Sequence, residues 1–354
     1  MKKISLKLVV SMILMLIVSC NEPDTVVTDF VHPDGSVTRR IFMKSIEGDA
    51  AKRFKPSVIQ LPLDSTWTVK DSCEVNEKGD TIWIRRAEKL FKSVNEINLA
   101  YKSDSSSNRE FSRHAEFRKK FKWFNTEFRF SEKIDRILSF GYPVKDFLNN
   151  EELQYFYSPE ELKSKKENGP DSLKYKALSE SVRQNTDKWT ERNLVSEWIG
   201  EFSRLTAGKT DDDMSYKSLK SREGEFISII EKNDKHLDSL WTNGILLRQF
   251  IGDSNALKYK TEADSALSVV TKEIASDFKD YSVRIVMPGK LIGTNGFIDS
   301  SQVLLWPVKA DYFMTSQYDM WAESKITNLW AWIASGLFLA FVFTGVIMRI
   351  IKKD

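Results

Sequence analysis

The chain has 354 residues, room for one large domain or two ordinary ones, with 29% charged residues, three histidines and two cysteines. Its formal net charge of +3 sits at the ends. Lys2, Lys3 and Lys7 precede the first apolar run and Arg349, Lys352 and Lys353 follow the last, so the body is slightly acidic, which argues against a nucleic-acid partner.

Residues 1–19 have a basic start and an apolar run too short to span a bilayer, the layout of a secretory signal. The run closes on Ile17-Val18-Ser19-Cys20, which resembles a bacterial lipobox. That resemblance implies cleavage before Cys20 and acyl chains such as palmitate on its sulfur and amino group. The alternative is an uncleaved anchor with an ordinary cysteine. If Cys20 is lipidated, Cys73 has no partner within the chain, and a buried free thiol is expected, with an intermolecular bridge as the other option.

Residues 20–144 read as the β-rich first part of an exported domain. Segments 25–30 (TVVTDF) and 36–43 (SVTRRIFM) are β-branched and flank His32-Pro33-Asp34-Gly35, a turn sequence. A second hairpin is expected from 66–73 and 81–86 around Asn76 to Asp80, with Trp67 and Val69 on one face. The three- and four-residue steps of Leu90, Phe91, Val94, Ile97 and Tyr101 predict a helix over 87–101. A serine-rich loop follows, and 121–130 (FKWFNTEFRF) predicts one strand. RKKFK, from Arg118 to Lys122, is the nearest approach to a basic patch and fits the entry to that strand.

Residues 145–278 turn helical. Ser158-Pro159-Glu160-Glu161 has a capping serine, proline at the first position and acids in the first turn. The stretch 171–205 is long and amphipathic, carrying Leu173, Leu178, Val182, Trp189, Leu194, Trp198, Ile199 and Phe202. Further helices are expected over 214–230, 237–251 and 257–278. No repeat period emerges, so this is an insert rather than a solenoid.

Residues 279–327 return to strands at 281–287 and 303–308, with Pro288-Gly289 and Asn295-Gly296 between them. The segment 312–328 suits a position near lipid headgroups or against the domain. Residues 329–348 run for twenty positions without a charge, about 30 Å of helix and the thickness of a bilayer core. Trp330 and Trp332 mark one membrane interface, and Arg349, Lys352 and Lys353 a cytoplasmic flank. This assigns a transmembrane helix to 328–349 and a cytoplasmic tail to 350–354. Gly336 with Ala340, and Ala331 with Ser335, are small-residue steps that can serve helix contacts.

No catalytic signature survives inspection. Gly208-Lys209-Thr210 has the end of a P-loop, but Ser203 stands where its first glycine belongs. Asp211 to Asp213 lack the alternation of a calcium loop, and Glu151-Glu152 and Glu160-Glu161 point apart on a helix. His32, His114 and His236 have neither a nucleophile elbow nor an HExxH pair beside them. With no CxxC or Cys/His cluster either, no enzyme, metal or cofactor is expected.

The run VRIVMPGKLIGTNGFIDSSQVLLWPV resembles a segment of the LppM-like bacterial lipoproteins, in which a strand ends in Pro-Gly, a connection holds Asn-Gly and the next strand carries a tryptophan. Here these are Pro288, Gly289, Asn295, Gly296 and Trp306, and the lipobox and C-terminal span are shared; the helical stretch departs from that pattern. The resemblance implies a hydrophobic groove and a role with envelope lipids or glycolipids. The expectation is an α+β protein: an antiparallel sheet domain with a helical insert, followed by one C-terminal transmembrane helix. It would be a non-catalytic lipoprotein of the bacterial cell membrane, its bulk periplasmic, with the bilayer, a lipid ligand or an envelope protein as partner. The alternative is a scaffold or accessory subunit of a membrane complex.

Overall fold

A computed structural model describes residues 25–49, 54, 61–76, 79–103, 112–138, 141–209, 214–233, 237–274, 279–299 and 303–351. The signal segment with Cys20, and also Thr210, Asp211 to Asp213, His236, Lys352 and Lys353, lie outside them.

Strands β1 (Thr25–Val31) and β2 (Val37–Ser45) form the expected hairpin. Its turn needs Gly35: φ is +92°, and a Cβ there would lie 2.9 Å from the Phe117 ring. β3 (Thr68–Val75) and β4 (Thr81–Phe91) form the second hairpin. β4 continues past the expected end at Arg86, so helix α1 spans only Val94–Ser103. Leu90 and Phe91 had helical spacing, but β4 is paired with β2 out to Val37↔Phe91, and tertiary pairing overrides local periodicity.

β5 (Arg113–Lys122) and β6 (Asn125–Ile134) replace the single strand expected over 121–130. The chain reverses at Trp123-Phe124, where no glycine, proline or asparagine–glycine pair announces a turn.

The helical region then comprises α2 (Asn150–Phe156), α3 (Glu160–Glu167), α4 (Ser172–Thr206), α5 (Tyr216–Ser221), α6 (Glu223–Lys232), α7 (Leu237–Thr242), α8 (Ile245–Ile251), α9 (Asp253–Lys258) and α10 (Lys260–Ile274). α2 has a complete capping box between Asn149 and Glu152. Ser158 does not cap α3 as expected; its hydroxyl donates to the Gln154 carbonyl at 2.7 Å and Pro159 takes the cap position. In the 35-residue α4 most of the apolar side from Val182 to Phe202 is buried, whereas Leu173 is 86% exposed, in a first turn where Tyr175 rather than Leu173 packs against the core. Trp198 centres this region: it stacks on Phe202, meets Phe226, Trp241 and Phe250, and donates its indole N–H to the Ala263 carbonyl. The helix expected over 257–278 divides at Tyr259, between α9 and α10.

β7 (Tyr281–Val286), β8 (Lys290–Thr294), β9 (Phe297–Ile298), β10 (Leu304–Val308), the short α11 (Ala310–Phe313), β11 (Tyr318–Thr327) and α12 (Leu329–Ile351) complete the chain. One sheet has the order β3-β4-β2-β1-β7-β10-β9 and the other β5-β6-β11-β8. All pairings are antiparallel except β1 with β7. Parallel neighbours need a long crossover, and here the crossover contains the second sheet's first hairpin and the whole insert. The architecture is α+β, with antiparallel sheets, an inserted helical region and one apolar C-terminal helix. Of the two positions expected for the segment 312–328, near headgroups or against the domain, the structure has the second: it supplies β11, an interior strand between β6 and β8. Its alternation of buried and half-buried residues from Tyr318 to Ser324 follows the period of two.

Candidate functional site

The densest chemistry lies between the sheets. Along β1, Val27, Asp29 and Val31 point inward; along β2, Val37, Arg39, Ile41 and Met43 do the same. Two charges therefore occupy core positions, directly opposite one another in the β1–β2 register. From the other sheet, Phe128, Phe130, Glu132 and Ile134 face them. Arg39 grips both Asp29 oxygens at 2.7 Å and donates to Glu132 at 2.8 Å, while Arg113 pairs with the other Glu132 oxygen. Tyr101 of α1 accepts from Arg39, and Arg113 lies over the Tyr101 ring at 4.7 Å.

Asp29, Arg39 and Glu132 are at most 1% exposed, so this arrangement is stable only as a set: two guanidinium groups against two carboxylates. Burial pushes the Glu132 carboxyl upward, but Arg113 and Arg39 outweigh it and hold it at about 2. Burial lifts the Tyr281 phenol to about 12. Each ionised oxygen of Glu132 is already taken by a guanidinium, so the network holds the two sheets in register rather than offering a reactive group.

A second charged cluster joins the insert to the first sheet. Lys309, after β10, bonds Glu160 of α3 at 2.8 Å and lies 3.9 Å from Asp280, and Lys163 also reaches Glu160 at 3.1 Å. Burial raises the Asp280 carboxyl to about 6 against the pull of Lys309, with Asp311 and Glu160 adding to the rise. Nearby, the Tyr312 hydroxyl donates to the Phe156 carbonyl, and Tyr157, Tyr312 and Tyr318 pack ring against ring.

The third assembly is a collar where the second sheet meets α12. Asn328 precedes that helix, and its carbonyl accepts from Ala331 N at 2.9 Å. Its side-chain amide donates to the Lys122 and Trp123 carbonyls at 2.8 and 3.2 Å, its Oδ1 accepts from Thr126, and its own N–H donates to the Phe124 carbonyl. One residue thus ties the β5–β6 turn to the helix start. Aromatic rings close the joint: Phe121 stacks on Trp330 at 6.2 Å, Trp123 meets Trp330 edge-on at 5.2 Å, and Phe124 lies 4.4 Å from Trp332. The Trp123 indole also donates to Ser335 at 2.9 Å. Though in mutual contact, these five rings remain 39–58% exposed. Beyond them α12 is long and apolar enough to cross a membrane, and only 6% of its apolar window is buried, which excludes a core helix.

Of the residues singled out in the sequence, Trp330, Trp332 and Arg349 lie on α12, the tryptophans at its start and Arg349 in its last turn. Cys20, Lys352 and Lys353 lie outside the described residues. Cys73 is exposed rather than buried, because β3 is an edge strand with all eight residues exposed. His32 lies 2.9 Å from the Thr38 hydroxyl, and His114 lies 3.8 Å from Glu116. Gly208 has φ +75° just past the end of α4, a helix-stop role. Among the described residues no group of three or more acids, histidines or cysteines could hold a metal ion.

The residues that carried the family resemblance form a packing unit between the sheets. Asn295 Oδ1 accepts from the Trp306 indole at 3.0 Å and from Trp321 N at 2.9 Å, and its amide donates to the Asp319 carbonyl. Gly296 lies flat against the Trp306 ring, and Gly289, at φ +79°, lies against the β11 backbone at Lys325. The Pro288 carbonyl accepts from Ser324. This Pro-Gly, Asn-Gly and Trp pattern therefore has a structural reason independent of any ligand.

No family model and no curated protein matches the chain. A solved structure, the NMR structure of the folded domain of the Mycobacterium tuberculosis LppM protein, covers 87% of this chain and 94% of its own, at 8% identity and a TM-score of 0.27. A likeness at that TM-score carries no argument, so the resemblance stands on the sequence features themselves: Pro288, Gly289, Asn295, Gly296 and Trp306, the lipobox and the C-terminal apolar stretch.

Proposed function

We propose that the chain is an envelope lipoprotein, anchored in the cytoplasmic membrane by α12 and, through Cys20, by acyl chains, with a non-catalytic domain that binds a membrane component outside the cytoplasm. The observation that carries this reading is the collar: an outward-facing apolar helix begins at a residue hydrogen-bonded into a sheet turn and ringed by half-exposed aromatics. Tryptophan rings of this kind favour the headgroup level at the edge of the acyl chains. A helix stitched to its domain by Asn328 would hold that domain at the bilayer surface instead of on a free linker. The charged interior supports binding over catalysis, since its carboxylates are saturated by arginines. Two anchors give a more durable attachment than a single acyl chain.

Alkaline carbonate extraction of membranes from cells making the full chain tests this. The protein is expected in the carbonate-resistant pellet, and co-purifying lipid without a stoichiometric protein supports membrane-component binding. Release of intact chain into the wash contradicts anchoring, and a stoichiometric protein partner in mild detergent would assign the chain to a complex instead.

A further inference from the structure

The outward face of the second sheet carries an uncompensated row of lysines next to the collar. The register sets Lys120 opposite Glu127, Glu127 opposite Lys325, and Lys325 opposite Lys290, so these four residues lie side by side across β5, β6, β11 and β8. Strands stand about 4.8 Å apart, so the row is roughly 14 Å wide. Its face is the outer one: Thr126, Phe128 and Ser324, on the alternate positions, are buried between the sheets. Lys122 extends the same face toward the turn and occupies Glu127, the row's one carboxylate. Lys120, Lys290 and Lys325 have no ion-pair partner among the described residues.

The row lies three residues from Trp123, about 10 Å along β5. The polar layer on each side of a bilayer core is about 5–7 Å deep. With the collar rings at the boundary of that layer, the lysines stand just above it, within reach of flexible stems that carry an ammonium toward phosphate.

Resting on the membrane-anchored reading, we infer that this lysine face of the second sheet lies against anionic phospholipid headgroups. The helix and rings set the depth and the lysines set the tilt: the domain leans with β5, β6, β11 and β8 toward the surface. A lysine near an anionic surface contributes a factor of about five to local association. The contact weakens with salt, because exposed charges are screened over about 8–10 Å.

Residue-resolved amine acetylation of the full chain, reconstituted in phosphatidylcholine vesicles and in vesicles containing phosphatidylglycerol, tests the inference. Lys120, Lys290 and Lys325 are expected to react several-fold more slowly in the phosphatidylglycerol vesicles and to regain their rates in high salt. Lys70, exposed on β3 at the far edge of the other sheet, serves as the control and keeps its rate. Equal rates in both vesicles, with the chain still resistant to carbonate, overturn the headgroup contact alone. Rates that are equal in both vesicles but well below that of Lys70 also overturn it and point to a second copy of the chain covering the face. A chain that carbonate strips from either vesicle overturns the anchored reading as well.

Discussion

Arg39 and Glu132, in the middle of the sandwich, have their charges answered by partners at 2.7–2.8 Å, whereas Lys120, Lys290 and Lys325 on the outer face of the same β-structure have none among the described residues. The contrast follows from solvent. An ion taken out of water must be matched by its neighbours, so the interior admits charge only as a closed set. An ion left at the surface needs no partner, and its position is free to serve an outside one. The closed set therefore reports on how the fold holds together, and the open row and collar are the surfaces that the proposed membrane contact would use.

The largest test of the contrast is Glu132→Gln. It leaves Arg39 and Arg113 with only Asp29 between them, and removing one member of a buried ionic set costs about 3–5 kcal/mol. Urea unfolding of the detergent-solubilised chain should show that loss, while Trp123→Ala in the collar, which removes one half-exposed ring contact and one hydrogen bond, should cost about 1 kcal/mol. The same residue gives a pH signature. Its folded pKa is depressed to about 2, so its contribution is complete above the ordinary glutamate value of about 4.3 and is lost as pH falls from there toward 2. The Gln variant should lack that part of the acid limb.

Next in size is Gly296→Ala, which sets a methyl group against the Trp306 indole and should cost about 1–3 kcal/mol as overpacking. Loss of the Asn295–Trp306 hydrogen bond in the same variant would show as a shift in tryptophan emission. Asn328→Ala removes a helix-start residue and its bonds to Lys122, Trp123 and Thr126, worth about 1 kcal/mol locally. Hydrogen exchange should quicken at 122–126 while the inter-sheet amides keep their protection. Exchange rising in both regions would mean that collar and core are one cooperative unit.

The smallest effect belongs to the junction between insert and sheet. The Asp280 carboxyl is raised to about 6, above its unfolded value, so the junction is firmest with the proton on and loosens as pH rises through about 6. Asp280→Asn should flatten that dependence, raising the melting temperature most at pH 8 and by about half as much at pH 5, which lies between the unfolded value of about 3.9 and the folded value of about 6.

Much of this contrast was legible before the structure. The hairpin at Asp34-Gly35, the long helical insert and the final apolar helix all follow from turn chemistry and periodicity. The inward charges were legible too, though missed: Val27-x-Asp29-x-Val31 and Val37-x-Arg39-x-Ile41 place both on the apolar side of their strands by the period of two. The collar was half legible. Trp330 and Trp332 stood out at the head of the span, but their partners were concealed by a turn made of Trp123 and Phe124, residues that read as strand interior. Cys73 was misjudged because a cysteine's usual burial says nothing about whether its strand lies at an edge, and strand order is a long-range property. Phe91 and Leu90 show the same limit: local spacing favoured helix, and pairing with β2 decided otherwise.

The central claim is that α12 crosses a bilayer with the domain on the outer side. In a Cys73→Ser background, Thr327→Cys and Lys353→Cys variants of the full chain can be treated with a membrane-impermeant maleimide in intact spheroplasts. The account predicts labelling at position 327 and none at 353 until the membrane is permeabilised; equal labelling of both before permeabilisation would contradict it.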